Sequence, residues 1–406
     1  MTALRNYILV TASYWGFTLT DGALRMLVLL HFYALGYSAF KIALLFVLYE
    51  FCGVVTNLIG GWVGSHFGLK ITLSSGLALQ IIALLALALL DPAWSEPFSV
   101  AYVMGAQALS GIAKDLTKMS SKSAIKVLIP DNAQGTLFKW VAVLTGSKNA
   151  LKGAGFFSGG ILLTWLGFRA SLIAMAVGLV VVLAISVLSL PKTLGRANIK
   201  VRFSRLFAKS REVNLLSAAR LFLFGSRDIW FVVGLPVFLA GSLGWDHTEI
   251  GGFMAFWVIG YGAVQVLAPK LLSLCLGDGP PRGGSASIGS FVLALLTGLI
   301  ALGVGLNLSP WVTVVCGLAL FGVIFAINSS LHSYLILAYT ETDQAALNVG
   351  FYYMANAIGR LIGTLLSGML FQWGGLDACL WVSAAFVTIA GLISLMLPRG
   401  NTCRFS

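Results

Sequence analysis

The chain has 406 residues, of which 58% are hydrophobic and only 10% charged, and its mean hydropathy is +0.93. A soluble chain carries roughly 25% charged residues, so a pair of water-soluble domains is excluded, as is a soluble enzyme on a single anchor. The apolar runs last about 20 residues without polar alternation, which excludes an outer-membrane barrel and points to helices that span a membrane. The formal net charge is +12.

Apolar runs between charged or Gly/Pro-rich breaks predict spans near 7–32, 40–62, 71–90, 98–124, 137–164 and 168–190, then 214–240, 249–274, 286–307, 310–337, 345–373 and 376–397. That is an all-α polytopic membrane protein of twelve spans. The first run has no small-residue cleavage site and reads as a retained helix, not a signal peptide. The widest break, 191–212, holds seven basic residues (Lys192, Arg196, Lys200, Arg202, Arg205, Lys209 and Arg211) against one acid, Glu212. The organisation expected is a six-helix half over 1–190, a basic linker over 191–212 and a second six-helix half over 213–406.

Fifteen of the 26 basic residues fall at the termini and on one side of this scheme, and only Lys41 and Arg169 on the other. The positive-inside rule places both termini and the linker in the cytoplasm. The positive charge is therefore a topology signal, and no nucleic-acid partner is expected. The five cysteines (Cys52, Cys275, Cys316, Cys379 and Cys403) form no CxxC pair. They read as apolar filler, with no metal or other cofactor implied.

An offset of 208 residues superposes the two halves. LGYSAFKI (Leu35–Ile42) falls on LGWDHTEI (Leu243–Ile250), and Lys152, Gly155, Gly160, Trp165 and Gly167 fall on Arg360, Gly363, Gly368, Trp373 and Gly375. Two six-helix repeats joined by a long basic loop resemble the major facilitator superfamily. The resemblance implies parallel repeats with substrate held between them near the midplane, and a monomer surrounded by membrane lipid.

A charge in the bilayer core costs about 2.5–3.5 kcal/mol on insertion scales, so each one inside a span needs a reason. Nine bases lie there (Arg25, Lys114, Lys118, Lys122, Lys148, Lys152, Arg220, Arg227 and Arg360) with four acids, Asp21, Glu50, Asp115 and Asp228. They occupy spans 1, 2, 4, 5, 7 and 11. Spans 3, 6, 9 and 12 carry none, which fits the outer, lipid-facing helices of the superfamily.

Spacing pairs Asp21 with Arg25 and Asp115 with Lys118 on shared helix faces. Five cations remain in surplus. Lys114, Lys118, Lys122 and Lys126 form a stripe along span 4, of which Lys122 and Lys126 snorkel to the interface. Converging Lys114, Lys118, Lys148, Lys152, Arg227 and Arg360, with Arg25, would make a site for a polyanion bearing phosphate-like or carboxylate groups. Tyr14, Tyr353 and Asn356 are expected to face the same space, with Trp15, Trp140, Trp230 and Tyr352. Asp21, Glu50, Asp115, Asp228 and His332 are assigned structural or coupling roles, and His332 also suits a proton carrier near neutral pH. A transferase using His31 or His332 lacks any supporting Ser–His, metal-ligand or paired-carboxylate spacing, so no enzyme is expected.

The loop between spans 2 and 3 keeps Gly61, Gly68 and Lys70 of the superfamily pattern G-x-x-x-D-R-x-G-R-K, with Ser65 and His66 in place of Asp-Arg. Gly146, Gly155 and Gly159 keep the glycine spacing of the antiporter motif, with Gly160 in place of its proline. Close helix packing through small residues explains these glycines equally well. Four blocks, YWGFTLTDGALRMLVLLHF (14–32), QALSGIAKDLTKMSSKSAIK (107–126), QGTLFKWVAVLTGSKNALKGAGFF (134–157) and SAARLFLFGSRDIWFVVGLPVFLA (217–240), resemble the ArsJ-type organoarsenical efflux permeases.

That resemblance implies export of 1-arseno-3-phosphoglycerate across a bacterial inner membrane, and hence arsenate resistance. It also implies functional coupling to the glyceraldehyde-3-phosphate dehydrogenase that forms the ester. A general organophosphate or phosphoglycerate exchanger of the same fold is the alternative. The polyanion required by the span charges and the substrate implied by the resemblance are consistent.

Overall fold

The structure is a computed structural model that describes residues 2–67, 69–128, 134–191, 210–276, 283–339 and 345–398. Twelve α-helices and one π-helical turn lie among the described residues: α1 (Thr2–Ala34), α2 (Ala39–Leu45), α3 (Val47–Phe67), α4 (Leu69–Ala88), α5 (Glu96–Leu128), α6 (Gln134–Ser189), α7 (Arg211–Phe231), α8 (Gly234–Leu243), α9 (His247–Leu276), α10 (Gly283–Gly305), the π turn Trp311–Cys316, α11 (Gly317–Ala338) and α12 (Ala345–Leu395). Most of the linker, 192–209, lies outside the described residues.

These elements are not the twelve spans one for one, because backbone breaks divide some spans and kinks join others. α6 holds spans 5 and 6 around Gly167 (φ 73°), and α12 holds spans 11 and 12 around Gly374 and Gly375 (φ 68° at Gly375). Span 2 is α2 plus α3, span 7 is α7 plus α8, and span 10 is the π turn plus α11. Among the described residues, eight stretches are long and apolar enough to cross a membrane, and two of them (Ser147–Ser189 and Asn348–Leu395) are such kinked pairs. α1 and α5 complete the twelve. Each has 33 residues, on the order of 50 Å of helix, and each carries buried acids.

The offset of 208 reappears in the backbone. Among the described residues, the four glycines with positive φ are Gly36 and Gly244, Gly167 and Gly375. They form two pairs, each 208 residues apart, at turns where a left-handed conformation favours glycine. Ser38 accepts a hydrogen bond from the Lys41 amide, and its repeat mate Asp246 accepts one from Glu249 at 2.7 Å. Both cap the N-terminus of the helix that follows. Gly160 packs against the His247 carbonyl as Gly368 packs against that of Ala39, and a Cβ at either glycine would collide.

Two compact units result. One contains residues 1–36, 48–202 and 245–259; the other contains 37–47, 203–244 and 260–406. In the first, α1 packs chiefly on α6, and α4 on α5. A Cβ on Gly155 would stand 2.5 Å from the Leu19 carbonyl oxygen, so only glycine permits this approach of span 5 to span 1. In the second, α7 packs on α12 and α10 on α12, with α2 also against α12. The repeat mate Gly363 holds the same place, 2.6 Å from the Gly225 carbonyl oxygen by the same construction.

Spans 3, 6, 9 and 12 each leave apolar side chains exposed. On span 6 these include Ile173, Val177, Val180, Val181 and Leu188, and on span 9 Ile288, Val292, Leu295 and Leu299. Spacings of three and four residues set them on one helical stripe, the surface that lipid covers.

Span 7 breaks at Val232–Val233 because Pro236 has no N–H for the Val232 carbonyl and its ring crowds that group. The amides of Val233 and Gly234, released at the break, donate to Ser367 Oγ at 3.2 and 3.0 Å. Ser367→Ala leaves both buried donors unsatisfied, at a cost of about 1–3 kcal/mol. The expected result is a thermal midpoint in detergent lowered by about 2–5 °C, and an unchanged midpoint would show that these amides find other acceptors.

Candidate functional site

Each unit buries its own cluster of charge. In the first unit the cluster joins spans 1, 2 and 4. Consecutive residues of α3 meet two residues of α1 that lie one turn apart. Tyr49 donates its hydroxyl to Asp21 Oδ1 at 2.7 Å, and Glu50 accepts from Arg25 at 3.1 Å. Glu50 has 1% of its side chain exposed and Arg25 11%, so this is an ion pair inside the bundle. The i,i+4 spacing within α1 pointed Arg25 at Asp21, whereas the structure gives Arg25 the Glu50 carboxylate of a neighbouring span.

On α5, Asp115 is the buried acceptor. Lys118 donates to its Oδ1 at 3.3 Å, the pair that the i,i+3 spacing indicates, and Thr56 donates to its Oδ2 at 2.6 Å. Lys118 also donates to Asn57 Oδ1 at 3.0 Å. Lys114 lies one turn before Lys118 with its ammonium 4.0 Å from the centre of the Tyr49 ring. Further along the unit, Lys152 Nζ stands 5.5 Å from the Phe156 ring, and Trp15 Nε1 donates to Ser147 Oγ at 3.0 Å, beside Lys148. Tyr14 is buried on α1.

The second unit holds a more compact cluster. Asp228, with 1% of its side chain exposed, accepts from Arg227 Nε at 2.7 Å and from Arg360 Nε at 3.2 Å. Arg227 also reaches the same carboxylate through Nη2. One acid thus serves two guanidiniums from spans 7 and 11. The Arg227 guanidinium also lies 5.2–5.8 Å from the rings of Phe224, Phe325 and Phe231.

Arg220, two turns earlier on α7, donates to the Ser329 carbonyl at 2.9 Å and to Asn356 Oδ1 at 3.3 Å, and stacks 3.8 Å from the Phe224 ring. Asn356, expected among the anion-facing groups, is therefore engaged by Arg220. Tyr353 meets the ring of buried Tyr352 edge to face at 5.6 Å. His332 is fully buried, and its two ring nitrogens have no hydrogen-bond partner among the described residues. Trp230 packs edge to face on Phe321 and is core.

Among the described side chains of the span interiors, eight bases (Arg25, Lys114, Lys118, Lys148, Lys152, Arg220, Arg227 and Arg360) accompany four acids (Asp21, Glu50, Asp115 and Asp228), an excess of four. The side chains of Lys122, Lys126 and Trp140, and those of the loop motif over 60–68, lie outside the described residues. Lys70, the last position of that motif, donates to the Val187 and Leu190 carbonyls at 2.7 and 2.6 Å, closing the C-terminus of span 6. Tyr49, Thr56, Asn57 and Ser329 went unnoticed in the sequence. The signal available for three of them was that Tyr49, Thr56 and Asn57 are, with Glu50, polar groups within a mostly apolar span 2.

A profile of the Major Facilitator Superfamily matches residues 7–328. Among solved structures, the chain is similar to a POT family transporter in complex with 5-aminolevulinic acid, with TM-score 0.73, 16% identity, 96% of this chain covered and 95% of the other. It is also similar to a POT family transporter in complex with a thioalcohol-conjugated peptide, with TM-score 0.71, 16% identity and the same coverage. A structure on substrate recognition in proton dependent oligopeptide transporters follows, with TM-score 0.67, 14% identity, 97% of this chain covered and 98% of the other. Comparison with curated proteins finds no match.

Proposed function

The chain belongs to the major facilitator superfamily, and on that premise we propose that it is an efflux permease for 1-arseno-3-phosphoglycerate, conferring arsenate resistance. It acts as a monomer by alternating access, in a bacterial inner membrane, with both termini in the cytoplasm. The observation that carries this reading is the excess of basic over acidic side chains inside the spans of both units. Charges inside spans are retained for a ligand or for one another, and here the bases outnumber the acids by two to one. A solute with several oxyanion charges balances that excess.

The four ArsJ-like blocks contain most of these groups: Asp21 and Arg25, Lys114 to Lys118, Lys148 and Lys152, and Arg220 to Asp228. The ester has an arsenate at one end and a phosphate at the other, so it fits the charge demand. No thiolate is needed, because pentavalent arsenic is recognised as an oxyanion. A glyceraldehyde-3-phosphate dehydrogenase working on arsenate supplies the substrate.

Everted vesicles containing the protein test this directly when given glyceraldehyde 3-phosphate, NAD, arsenate and the dehydrogenase. Arsenic accumulation that needs all four is the expected result. Accumulation with arsenate alone, or none at all, overturns the substrate. Uptake of 3-phosphoglycerate without arsenic would instead identify a general phosphoglycerate exchanger, which the same cation surplus would serve.

A further inference from the structure

Three spans cross at Tyr49. Its hydroxyl is bound to Asp21 on span 1, its ring lies 4.0 Å from Lys114 Nζ on span 4, and the Arg25 guanidinium lies 5.6 Å from the same ring. The backbones are pressed together here as well: a Cβ on Gly111 of span 4 would stand 2.5 Å from the Tyr49 carbonyl oxygen. Tyr49 is 5% exposed, so this geometry is fixed by packing.

Every acid of the first cluster is committed to another donor. Asp21 takes the Tyr49 hydroxyl, Glu50 takes Arg25, and the two oxygens of Asp115 take Lys118 and Thr56. Lys114 rests beside Gly53, where a Cβ would be 3.4 Å from its nitrogen and 3.5 Å from Asp115 Oδ2. Among the described residues no carboxylate reaches it at ion-pair distance; Asp115 attracts it from the Gly53 side, and the group in contact with its ammonium is an aromatic face. A ring holds an ammonium more weakly than a buried carboxylate does, and the cation it holds is surrendered most readily to an arriving anion.

We propose that Tyr49 is the positioning residue that keeps Lys114 ready for an oxyanion, carrying the ammonium on its ring while its hydroxyl occupies Asp21. The assignment rests on the anion-transport reading above and names the cation of the first unit that the phosphate-like group of the solute engages. Arg25 and Lys118 keep their carboxylates and shape the surroundings. Lys114 moves from the ring to the ligand.

Ligand-dependent thermal stabilisation of the purified full-length protein tests this, with 3-phosphoglycerate and inorganic phosphate as probes. Tyr49→Leu should weaken the apparent affinity about tenfold, the loss expected for a desolvated cation–π partner. Tyr49→Phe, which keeps the ring, should recover most of it. Lys114→Gln should weaken binding to a similar degree, and Tyr49→Leu should add nothing in that background. Tyr49→Met, whose long flexible chain reaches further into the space of the ring, replaces the Leu variant if the latter fails to fold.

A Leu variant that binds like wild type, or that weakens binding equally with and without Lys114, overturns the positioning role. Wild-type protein that binds neither probe overturns this role together with the anion-transport reading. Binding by wild type with undiminished binding by Tyr49→Leu and Lys114→Gln overturns the positioning role alone.

Discussion

Asp228→Ala should lower the stability of the folded protein by about 3–5 kcal/mol, enough to remove most of it from the membrane. The carboxylate is buried, with Arg227 and Arg360 both bonded to it. Without it, the two guanidiniums lose the carboxylate they share inside the bundle. The loss exceeds that of one hydrogen bond because it combines an unpaired buried charge with repulsion between like charges. Asp228→Asn keeps an acceptor and should cost less. Asp228→Ala with Arg360→Gln, which leaves one cation instead of two, should recover part of the deficit. Thermal midpoints and monodisperse yield in detergent for the three variants decide the matter. An Asp228→Ala variant within 1 kcal/mol of wild type would show that the acid is not the hub of this unit.

The spans were legible in the sequence because hydropathy and length alone decide which segments enter a bilayer. Gly167 and Gly375 were legible too, as breaks between apolar runs, and the structure gives them the positive φ that separates spans 5 from 6 and 11 from 12. Pro236 is a visible mark, but the break it causes lies three residues earlier, and its repair by Ser367 depends on a span more than a hundred residues away. The interruption of span 2 at Phe46 involves neither proline nor glycine at that residue.

Charge pairing divides along the same line. Asp115–Lys118 is local, and the helical period exposes it. Arg227–Asp228 is local in sequence, yet neighbouring positions on a helix do not ordinarily face each other, and a shared partner on span 11 accompanies the pairing. Arg25 has a plausible partner in its own helix, and the structure pairs it with an acid of another. Only tertiary packing selects between such candidates, so the sequence identifies which residues are expensive and leaves open which of them satisfy each other.

If the protein exports the arsenic ester as proposed, Lys152→Gln and Arg360→Gln should each reduce that export to background while the protein remains folded in the membrane. The two residues are repeat mates, separated by the offset of 208, and each precedes a tightly packed glycine by three residues, Gly155 and Gly363. Arg360 shares its carboxylate with Arg227, so its removal leaves a one-to-one ion pair at Asp228 and costs little stability, the reverse of removing the acid. Glutamine keeps most of the side chain of either residue and deletes the charge. Losing one charged partner of a bound oxyanion costs about 2–5 kcal/mol, on the order of 30- to 1000-fold in affinity. Arg360→Lys should be intermediate, because it keeps the charge and gives up the planar fork. Vesicle uptake normalised to the amount of protein in the membrane is the measurement, with growth on arsenate as the cellular readout. Wild-type resistance from either glutamine variant would remove that residue from the anion's path. Loss in both at normal protein levels would require a cationic group from each repeat, a demand that close packing alone does not make.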